Sequence, residues 1–292
     1  MFKIGTFADW FGVGLIEGIK QSRGLEAQGV QVYAWNELSP DKATSMFLGE
    51  VAKTASDYQQ EIVALCGELG GHGLEIMADN SAKIEYLKKI VDMAYFLECR
   101  VVTTHIGIIP EDSTSDKYKY MQEACNQIGE YANRKSIGIA IETGPEKIVT
   151  LKKFVDGCIG IGINYDPANL VMVTRDDEVA GVLAAKNSIL HTHAKDGVCY
   201  QTIEPKVAYD IFADGGIEEL SKLTEYFEEQ PLGKGQVRWE EYLAALVEVG
   251  YTGYLTIERE VKEDAVKDIG NAVKFLKEKI ANLENRLGVK NE

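Results

Sequence analysis

Four short apolar segments of the chain each end in a side chain that can bind a metal ion or transfer a proton. The four residues are Glu142, Asp166, His193 and Glu258, and each ends or directly follows a run rich in β-branched residues. One such residue is usually a solvated or ion-paired surface group. Four that converged on one site would repel unless a cation neutralised them. Three carboxylates and one neutral imidazole favour one divalent ion, Mn²⁺ first, with Mg²⁺, Co²⁺ or Zn²⁺ as alternatives.

The elements that must position these residues alternate regularly along the chain. Apolar segments typical of strands are followed by longer amphipathic segments typical of helices, about eight times. The strands are predicted at 2–7, 30–34, 61–66, 101–105, 138–142, 160–166, 188–193 and 253–258. The helices are predicted at 15–28, 46–60, from a Ser81 cap to 98, and at 116–135, 146–156, 176–186, 239–249 and 263–286.

This alternation predicts parallel βαβ units closed into a (β/α)8 TIM barrel, an α/β fold, with one domain over residues 1–292. The first strand is not followed by GxGxxG, which argues against a dinucleotide-binding fold. The one long insertion, 197–235, follows strand seven, and its pattern predicts a helix at about 216–229. Long segments at this end of a barrel usually form a lid or an interface. Because active sites of such barrels lie where the strands end, the four residues are expected to meet there.

The residues around these strand ends resemble those of the xylose isomerase-like barrels, the sugar phosphate isomerase/epimerase and apurinic-endonuclease superfamily. The matching motifs are Ile141-Glu142-Thr143, Asp166-Pro167-Ala168-Asn169-Leu170, His193-Ala194-Lys195-Asp196-Gly197, Gly233-Lys234-Gly235 with Trp239, and Gly250-Tyr251-Thr252-Gly253-Tyr254 leading into Ile257-Glu258. They are densest over 138–260. In the ketose 3-epimerase branch the resemblance implies metal ligation by Glu142, Asp166, His193 and Glu258, with the two glutamates as catalytic acid and base.

The implied reaction is isomerisation or epimerisation of a ketose or ketose phosphate. A metal ion stabilises the enediolate that forms when a carboxylate removes the proton next to the ketone. Loss of a leaving group from the same enediolate would instead make a dehydratase or lyase of a keto-inositol or keto-glycoside. A metal-free barrel that binds a sugar or a partner protein is the alternative of another class. The sequence does not decide between a sugar and its phosphate.

The nuclease branch of the superfamily is disfavoured because its three-zinc site needs further histidines. Asn169 stands where that branch carries one of them, and Gly233-Lys234-Gly235 and Arg238 replace its Asp-x-His. The whole chain has four histidines. The formal net charge of −15 also argues against a nucleic-acid partner.

Five further residues are predicted to contact the substrate: His105, Asn169, Lys195, Trp10 and His72. Asn169 could bind a sugar hydroxyl, and Trp10, with Phe11 and Trp35, could stack on a sugar or form a hydrophobic wall. Lys195 could neutralise an oxyanion or pair with Asp196 or Glu258. His105 could be structural, and His191 is expected in the core behind His193. The Gly233-Lys234-Gly235 turn could hold a phosphate.

Composition predicts an ordinary globular protein outside the membrane. No apolar run reaches the ~20 residues that span a bilayer, and no secretory leader is evident. The five cysteines are scattered without a CxxC motif, as in reduced cytosolic proteins. We therefore expect a cytoplasmic enzyme with a small-molecule sugar substrate and no membrane partner. The insertion and the final helix are compatible with a homo-oligomer, either a dimer or a tetramer.

Overall fold

Eight parallel strands close into a barrel in the computed structural model, which describes residues 1–259 and 264–288 apart from the side chain of Ile217. Around the barrel the order is β1-β10-β7-β6-β5-β4-β3-β2, and β1 pairs with β10 to close it. The ten strands are β1 (Lys3–Phe7), β2 (Gly29–Tyr33), β3 (Glu61–Cys66), β4 (Val101–Thr104), β5 (Gly138–Glu142), β6 (Ile161–Tyr165), β7 (Ile189–Ala194), β8 (Asp196–Cys199), β9 (Phe227–Gln230) and β10 (Tyr254–Ile257). The predicted TIM barrel is confirmed.

The helices follow the strands in turn and cover the outside of the barrel. They are α1 (Leu15–Gly24), α2 (Ser45–Asp57), α3 (Asn80–Phe96), α4 (Asp116–Asn133), α5 (Ile148–Asp156), α6 (Pro167–Asn169), α7 (Glu178–Ala185), α8 (Pro205–Leu220), α9 (Trp239–Glu248) and α10 (Ala265–Leu287). Because the helices cover one face of each strand and the packed interior covers the other, a strand such as β3 is buried after its first residue. In α10 the buried residues recur every three or four positions, which is the stripe an amphipathic helix needs to pack on the barrel.

The insertion after β7 differs from its prediction. The helix expected at 216–229 is wrong: α8 begins at Pro205, a favourable first-turn residue, and Gly216 interrupts it with φ 68°. Residues 227–230 instead form β9, which pairs antiparallel with β8, so that Asp196 lies opposite Gln230. This pairing between distant segments overrides the local helical pattern, as tertiary contacts often do.

Neither of two predicted helix starts, at Ser81 and at Glu263, is confirmed within the described residues. Ser81 does not cap α3, because a 3₁₀ turn at Met77–Asp79 already leads into a helix that begins at Asn80, whose side-chain amide donates to the Leu74 carbonyl at 3.2 Å. The predicted start of the last helix, Glu263, lies outside the described residues. Within residues 1–259 and 264–288, no helix combines the length and the apolar character needed to cross a bilayer.

Candidate metal and active site

Four neighbouring strands bring the predicted metal ligands together at one end of the barrel. Glu142 ends β5, Asp166 follows β6, His193 lies in β7 and Glu258 follows β10. All four side chains are buried, and each offers a ligand atom within 4.8 Å of the others. The grouping results from topology, because parallel strands that are adjacent in a barrel end at the same rim.

The carboxylate of Asp166 is held by one oxygen only. As the N-cap of α6, its Oδ1 accepts from the backbone N–H groups of Ala168 at 2.8 Å and Asn169 at 3.2 Å. Its Oδ2 is buried and has no hydrogen-bond partner among the described residues. A buried carboxylate oxygen without a hydrogen bond is costly, and the Lys195 ammonium lies 3.9 Å from it. Because this oxygen belongs to the four-residue cluster, the site fits a bound cation.

The imidazole of His193 is oriented by Gln31 in the interior of the barrel. Its Nε2 lies 3.2 Å from the Gln31 Oε1, while the Gln31 Nε2 donates to Thr103 Oγ1 at 2.9 Å. Because the Gln31 oxygen can only accept, this contact favours the tautomer of neutral His193 that carries its proton on Nε2 and its lone pair on Nδ1. Nδ1 faces Glu142 at 3.4 Å and Glu258 at 2.9 Å, as a metal ligand would. His191, buried behind it, contacts the same Gln31 oxygen at 3.0 Å.

The two glutamates have different environments. Glu142 accepts from two side-chain amides, Asn164 to Oε2 and Asn169 to Oε1, each at 3.1 Å. Glu258 lies beside the Lys195 ammonium, with its Oε2 at 3.3 Å from Nζ. Two side-chain amides donate hydrogen bonds to Glu142, whereas the Lys195 ammonium pairs with Glu258.

The electrostatics show a surplus of negative charge at the site. Burial raises the pKa of Asp166, and nearby Lys195 only partly opposes this. Burial also raises the pKa of Glu258, but Lys195 and His193 outweigh it and bring it below its ordinary value. Burial lowers the pKa of His193, yet Glu142 and Glu258 raise it well above its usual range. A divalent cation would neutralise the same two carboxylates that raise the pKa of His193.

A cavity of about 400 Å³ lies above the cluster and contains most of the predicted substrate contacts. Trp10, His105, Asn169 and Lys195 line it. The Trp10 Nε1 is buried with no partner among the described residues. His72 lies outside this lining, where its ring nitrogens face Asp210 at 3.8 Å and Asp214 at 3.3 Å. The substrate roles of all five stay predictions.

The turn Gly233-Lys234-Gly235, which could hold a phosphate, is hydrogen-bonded to a buried carboxylate. The Gly233 N–H donates to Asp196 Oδ2 at 2.8 Å, and Trp239 Nε1 donates to the same oxygen at 2.9 Å. The turn is therefore wrapped around a buried carboxylate. Of the two salt bridges predicted as alternatives for Lys195, with Asp196 or with Glu258, the structure shows the one with Glu258, at 3.3 Å.

Several residues of the site were not predicted. Glu68, after β3, binds the His105 Nδ1 through both oxygens at 3.1 Å. Burial lowers the pKa of His105, but Glu68 and Glu142 outweigh it and raise it to about 10. Glu68 follows a strand end, so the rule that found the four predicted ligands could have found it. Tyr209 and Phe212 of α8 also line the cavity, and no local signal marks them because their helix was misplaced.

Residues 19–279 match the family described as xylose isomerase-like TIM barrel. This chain belongs to that family. The membership confirms the resemblance drawn from the strand-end motifs. An uncharacterized protein of Methanocaldococcus jannaschii is 24% identical over 69% of this xylose isomerase-like chain and 66% of its own length. A second from the same organism is 23% identical over 64% of this chain. The chain thus spans about two thirds of the curated relatives it matches.

Solved structures with the same fold include enzymes of more than one reaction. A xylose isomerase domain protein from Planctomyces limnophilus has a TM-score of 0.79 and 24% identity, covering 97% of this chain and 98% of its own. A D-tagatose 3-epimerase-like protein has a TM-score of 0.75 and 19% identity, with 98% and 100% coverage. A probable 3-DHS dehydratase from Bacillus anthracis has a TM-score of 0.73 and 13% identity, with 94% and 99% coverage. At these identities the likeness shows the fold alone.

Proposed function

We propose that this protein is a divalent-metal-dependent isomerase or epimerase of a ketose or ketose phosphate. The observation that carries the proposal is the pair Glu142 and Glu258. Both carboxylates face the same His193 nitrogen, at 3.4 and 2.9 Å, on the floor of a cavity large enough for a sugar. The epimerase-like and isomerase-like structures with this fold support an enzyme of this class.

The residues that would hold the metal are Glu142, Asp166, His193 and Glu258, and their oxygen-rich set favours Mn²⁺, with Mg²⁺, Co²⁺ or Zn²⁺ as alternatives. When bound, a divalent ion would draw electron density from the ketone and make the neighbouring carbon–hydrogen bond more acidic.

Proton transfer falls to the two glutamates. They lie at the two ends of an arc of four neighbouring strands, β10, β7, β6 and β5, so they approach a bound substrate from different sides. One carboxylate removes the proton next to the ketone to form the enediolate, and the other returns a proton from the opposite face, which inverts that carbon. Return of the proton at the adjacent carbon would give isomerisation instead. Asn164 and Asn169 fix the orientation of Glu142, and Lys195 that of Glu258.

A dehydratase or lyase acting on a keto-inositol or keto-glycoside is the second candidate, and His105 is the observation that favours it. Its Nε2 lies 4.0 Å from Glu142 Oε1, and the ring lines the cavity. Glu68 and Glu142 favour its protonated form, so it could donate a proton to a departing oxygen. The probable dehydratase among the structures with this fold supports the same chemistry.

Proton exchange tests the proposal directly. The Mn²⁺-loaded protein, freed of excess metal, is incubated in D₂O with a panel of ketoses and ketose phosphates, and carbon-bound protons are followed by NMR. We expect exchange beside the ketone of at least one sugar, and its loss in Glu142→Gln and Glu258→Gln. Glu50→Gln, an exposed position on α2, is the matched control. Products separate epimer, isomer and eliminated fragment.

Two results would contradict the proposal. Failure to retain any divalent ion would remove the metal-dependent mechanism. Exchange that persists in both glutamine variants would assign proton transfer to other residues. Release of an eliminated fragment, with no deuterium in any recovered sugar, would favour the second candidate, the dehydratase or lyase.

A further inference from the structure

The cavity has a polar floor and two aromatic walls. Its volume of about 400 Å³ lies within the ~300–1,000 Å³ range of pockets that enclose drug-sized ligands. The metal-ligand cluster forms the floor at one end. The walls that rise from it toward solvent decide what else a substrate can carry.

One wall is a row of aromatic rings that begins at the floor. The Phe7 ring is 5.3 Å from that of His193 and 5.0 Å from that of Tyr33, and Tyr33 stacks on Trp35 at 4.4 Å. Trp35 is 44% exposed. It is nevertheless held in place, because its Nε1 donates to Asp9 Oδ1 at 2.9 Å and the Tyr33 N–H donates to Asp9 Oδ2 at 3.0 Å. A large indole face is thus fixed at the mouth before any ligand binds.

A second wall comes from the insertion. Phe212 of α8 lies 5.8 Å from His105, and Tyr209 lies 6.1 Å from Phe212. Both line the same cavity as Tyr33 and Trp35. Aromatic rings prefer offset-stacked or edge-to-face partners, so the space between two such walls suits another flat ring better than a hydroxyl-rich chain.

The charges in the cavity disfavour a phosphate group. Lys195 faces Glu258 at 3.3 Å and Asp166 at 3.9 Å, and His105 faces Glu68 at 3.1 Å. Arginine is absent from the described residues of the lining. A phosphate dianion would therefore meet carboxylates whose positive partners are already engaged.

We infer that the site binds an unphosphorylated keto sugar or keto polyol whose far end carries an aromatic substituent, held between Trp35 and Phe212. This inference rests on the proposed function for the position of the ketone at the floor. The substituent itself is assigned from the walls. For isomerisation or epimerisation and for elimination alike, the inference narrows the substrate to a ketone that has one polar end and one flat apolar end.

Paired probes test the inference by calorimetric titration of the Mg²⁺-loaded protein. Phenyl and methyl 3-keto-β-D-glucopyranoside share the ketone and differ in the aglycone, while fructose and fructose 6-phosphate differ in the phosphate. Burying a phenyl group should make the phenyl compound bind at least about 10-fold more tightly than the methyl compound. We expect no gain from the phosphate.

The wall residues should carry this preference. Trp35→Ala and Phe212→Ala should each reduce the phenyl-to-methyl affinity ratio toward about one. Tyr95→Ala, at an exposed aromatic on α3 that does not line the cavity, should leave the ratio unchanged. Circular dichroism of each variant establishes that it is folded.

The results separate the inference from the proposed function. Two results would overturn the aromatic subsite through the phenyl-to-methyl affinity ratio: a wild-type ratio near one, or a ratio that neither wall variant changes. Tighter binding of fructose 6-phosphate than of fructose, or binding of neither glucoside, would also overturn the inference. If the methyl compound exchanges its proton in D₂O while the ratio is near one, the proposed function stands without the subsite. A high ratio without proton exchange in any probe or in any sugar of the ketose panel would keep the subsite and overturn the proposed function.

Discussion

The buried carboxyl group of Glu146 predicts a measurable dependence of stability on pH. Glu146 lies between β5 and α5, is 8% exposed, and its Oε2 has no hydrogen-bond partner among the described residues. Burial raises its pKa from 4.5 to about 8, against smaller opposing effects of His105 and of the backbone N–H groups of Glu146 and Ile109. The group therefore keeps its proton in the folded protein at pH values where the unfolded chain has lost it.

The sign follows from proton linkage. Between pH 4.5 and about 8 the folded state binds one more proton at this site than the unfolded state, so the free energy of unfolding falls as pH rises. A shift of this size corresponds to at most ~5 kcal/mol, at ~1.4 kcal/mol per pH unit, and relaxation around the carboxylate will reduce it. Glu146→Gln keeps the shape of the protonated form and cannot ionise. We expect it to raise the free energy of unfolding by about 2–5 kcal/mol at pH 9 and by close to zero at pH 4.5.

Urea unfolding at pH 4.5, 6.5 and 9, with chelator present throughout, measures the difference. Equal m-values for wild type and variant would show that the unfolded states are comparable. Glu50→Gln, at an exposed carboxylate, serves as the control and should follow the wild type at each pH. A difference in the free energy of unfolding between Glu146→Gln and wild type that stays the same at all three pH values would refute the reasoning. Such a difference would come from a contact that does not depend on the protonation of Glu146.

Three further predictions test the site and the packing. Asp166→Asn keeps the capping oxygen but replaces the oxygen that has no hydrogen bond, so the metal-free protein should change in stability by less than about 1 kcal/mol. Its Mn²⁺ affinity in equilibrium dialysis should fall at least about 100-fold, and unchanged affinity would exclude the proposed metal site. Each carboxylate oxygen of Asp196 accepts hydrogen bonds from two N–H groups. Because asparagine has only one accepting oxygen, Asp196→Asn should lower the free energy of unfolding in urea by about 2–4 kcal/mol, and an unchanged value would show that this carboxylate does not hold the insertion. The Cβ added by Gly49→Ala meets no atom within 4 Å, so this variant should raise the melting temperature through helix propensity. The Cβ added by Gly129→Ala would lie 1.9 Å from the Ile159 carbonyl oxygen, so that variant should lower the melting temperature, and equal shifts would contradict this packing of α4.

Much of the fold and the grouping of the four strand-end residues could be predicted because their signals are local. Strand and helix periodicity repeats within a dozen residues, and parallel strands of a closed barrel end at one rim. The positions of Glu142, Asp166, His193 and Glu258 directly at strand ends therefore implied that they would meet. The family membership confirms the resemblance carried by the same motifs.

The errors fell where distant segments interact. The pattern at 216–229 is locally compatible with a helix, but pairing of Phe227–Gln230 with Asp196–Cys199 makes that part a strand. The Gly233-Lys234-Gly235 turn also has a distant partner, because the Gly233 N–H donates to Asp196, 37 residues earlier, and phosphate binding by this turn stays a prediction. Neither partner can be identified from its neighbours in the chain.

The sequence by itself determined the barrel and the rim on which its ionisable residues gather, because both depend on short periodic patterns and on the direction of parallel strands. Only the tertiary structure decided that Gln31 contacts His193, that Glu68 binds His105, and that Trp35 and the aromatic residues of α8 line one cavity. These contacts join residues far apart in the chain. Their geometry is set by how strands, loops and the insertion pack, which no local pattern of residue types encodes.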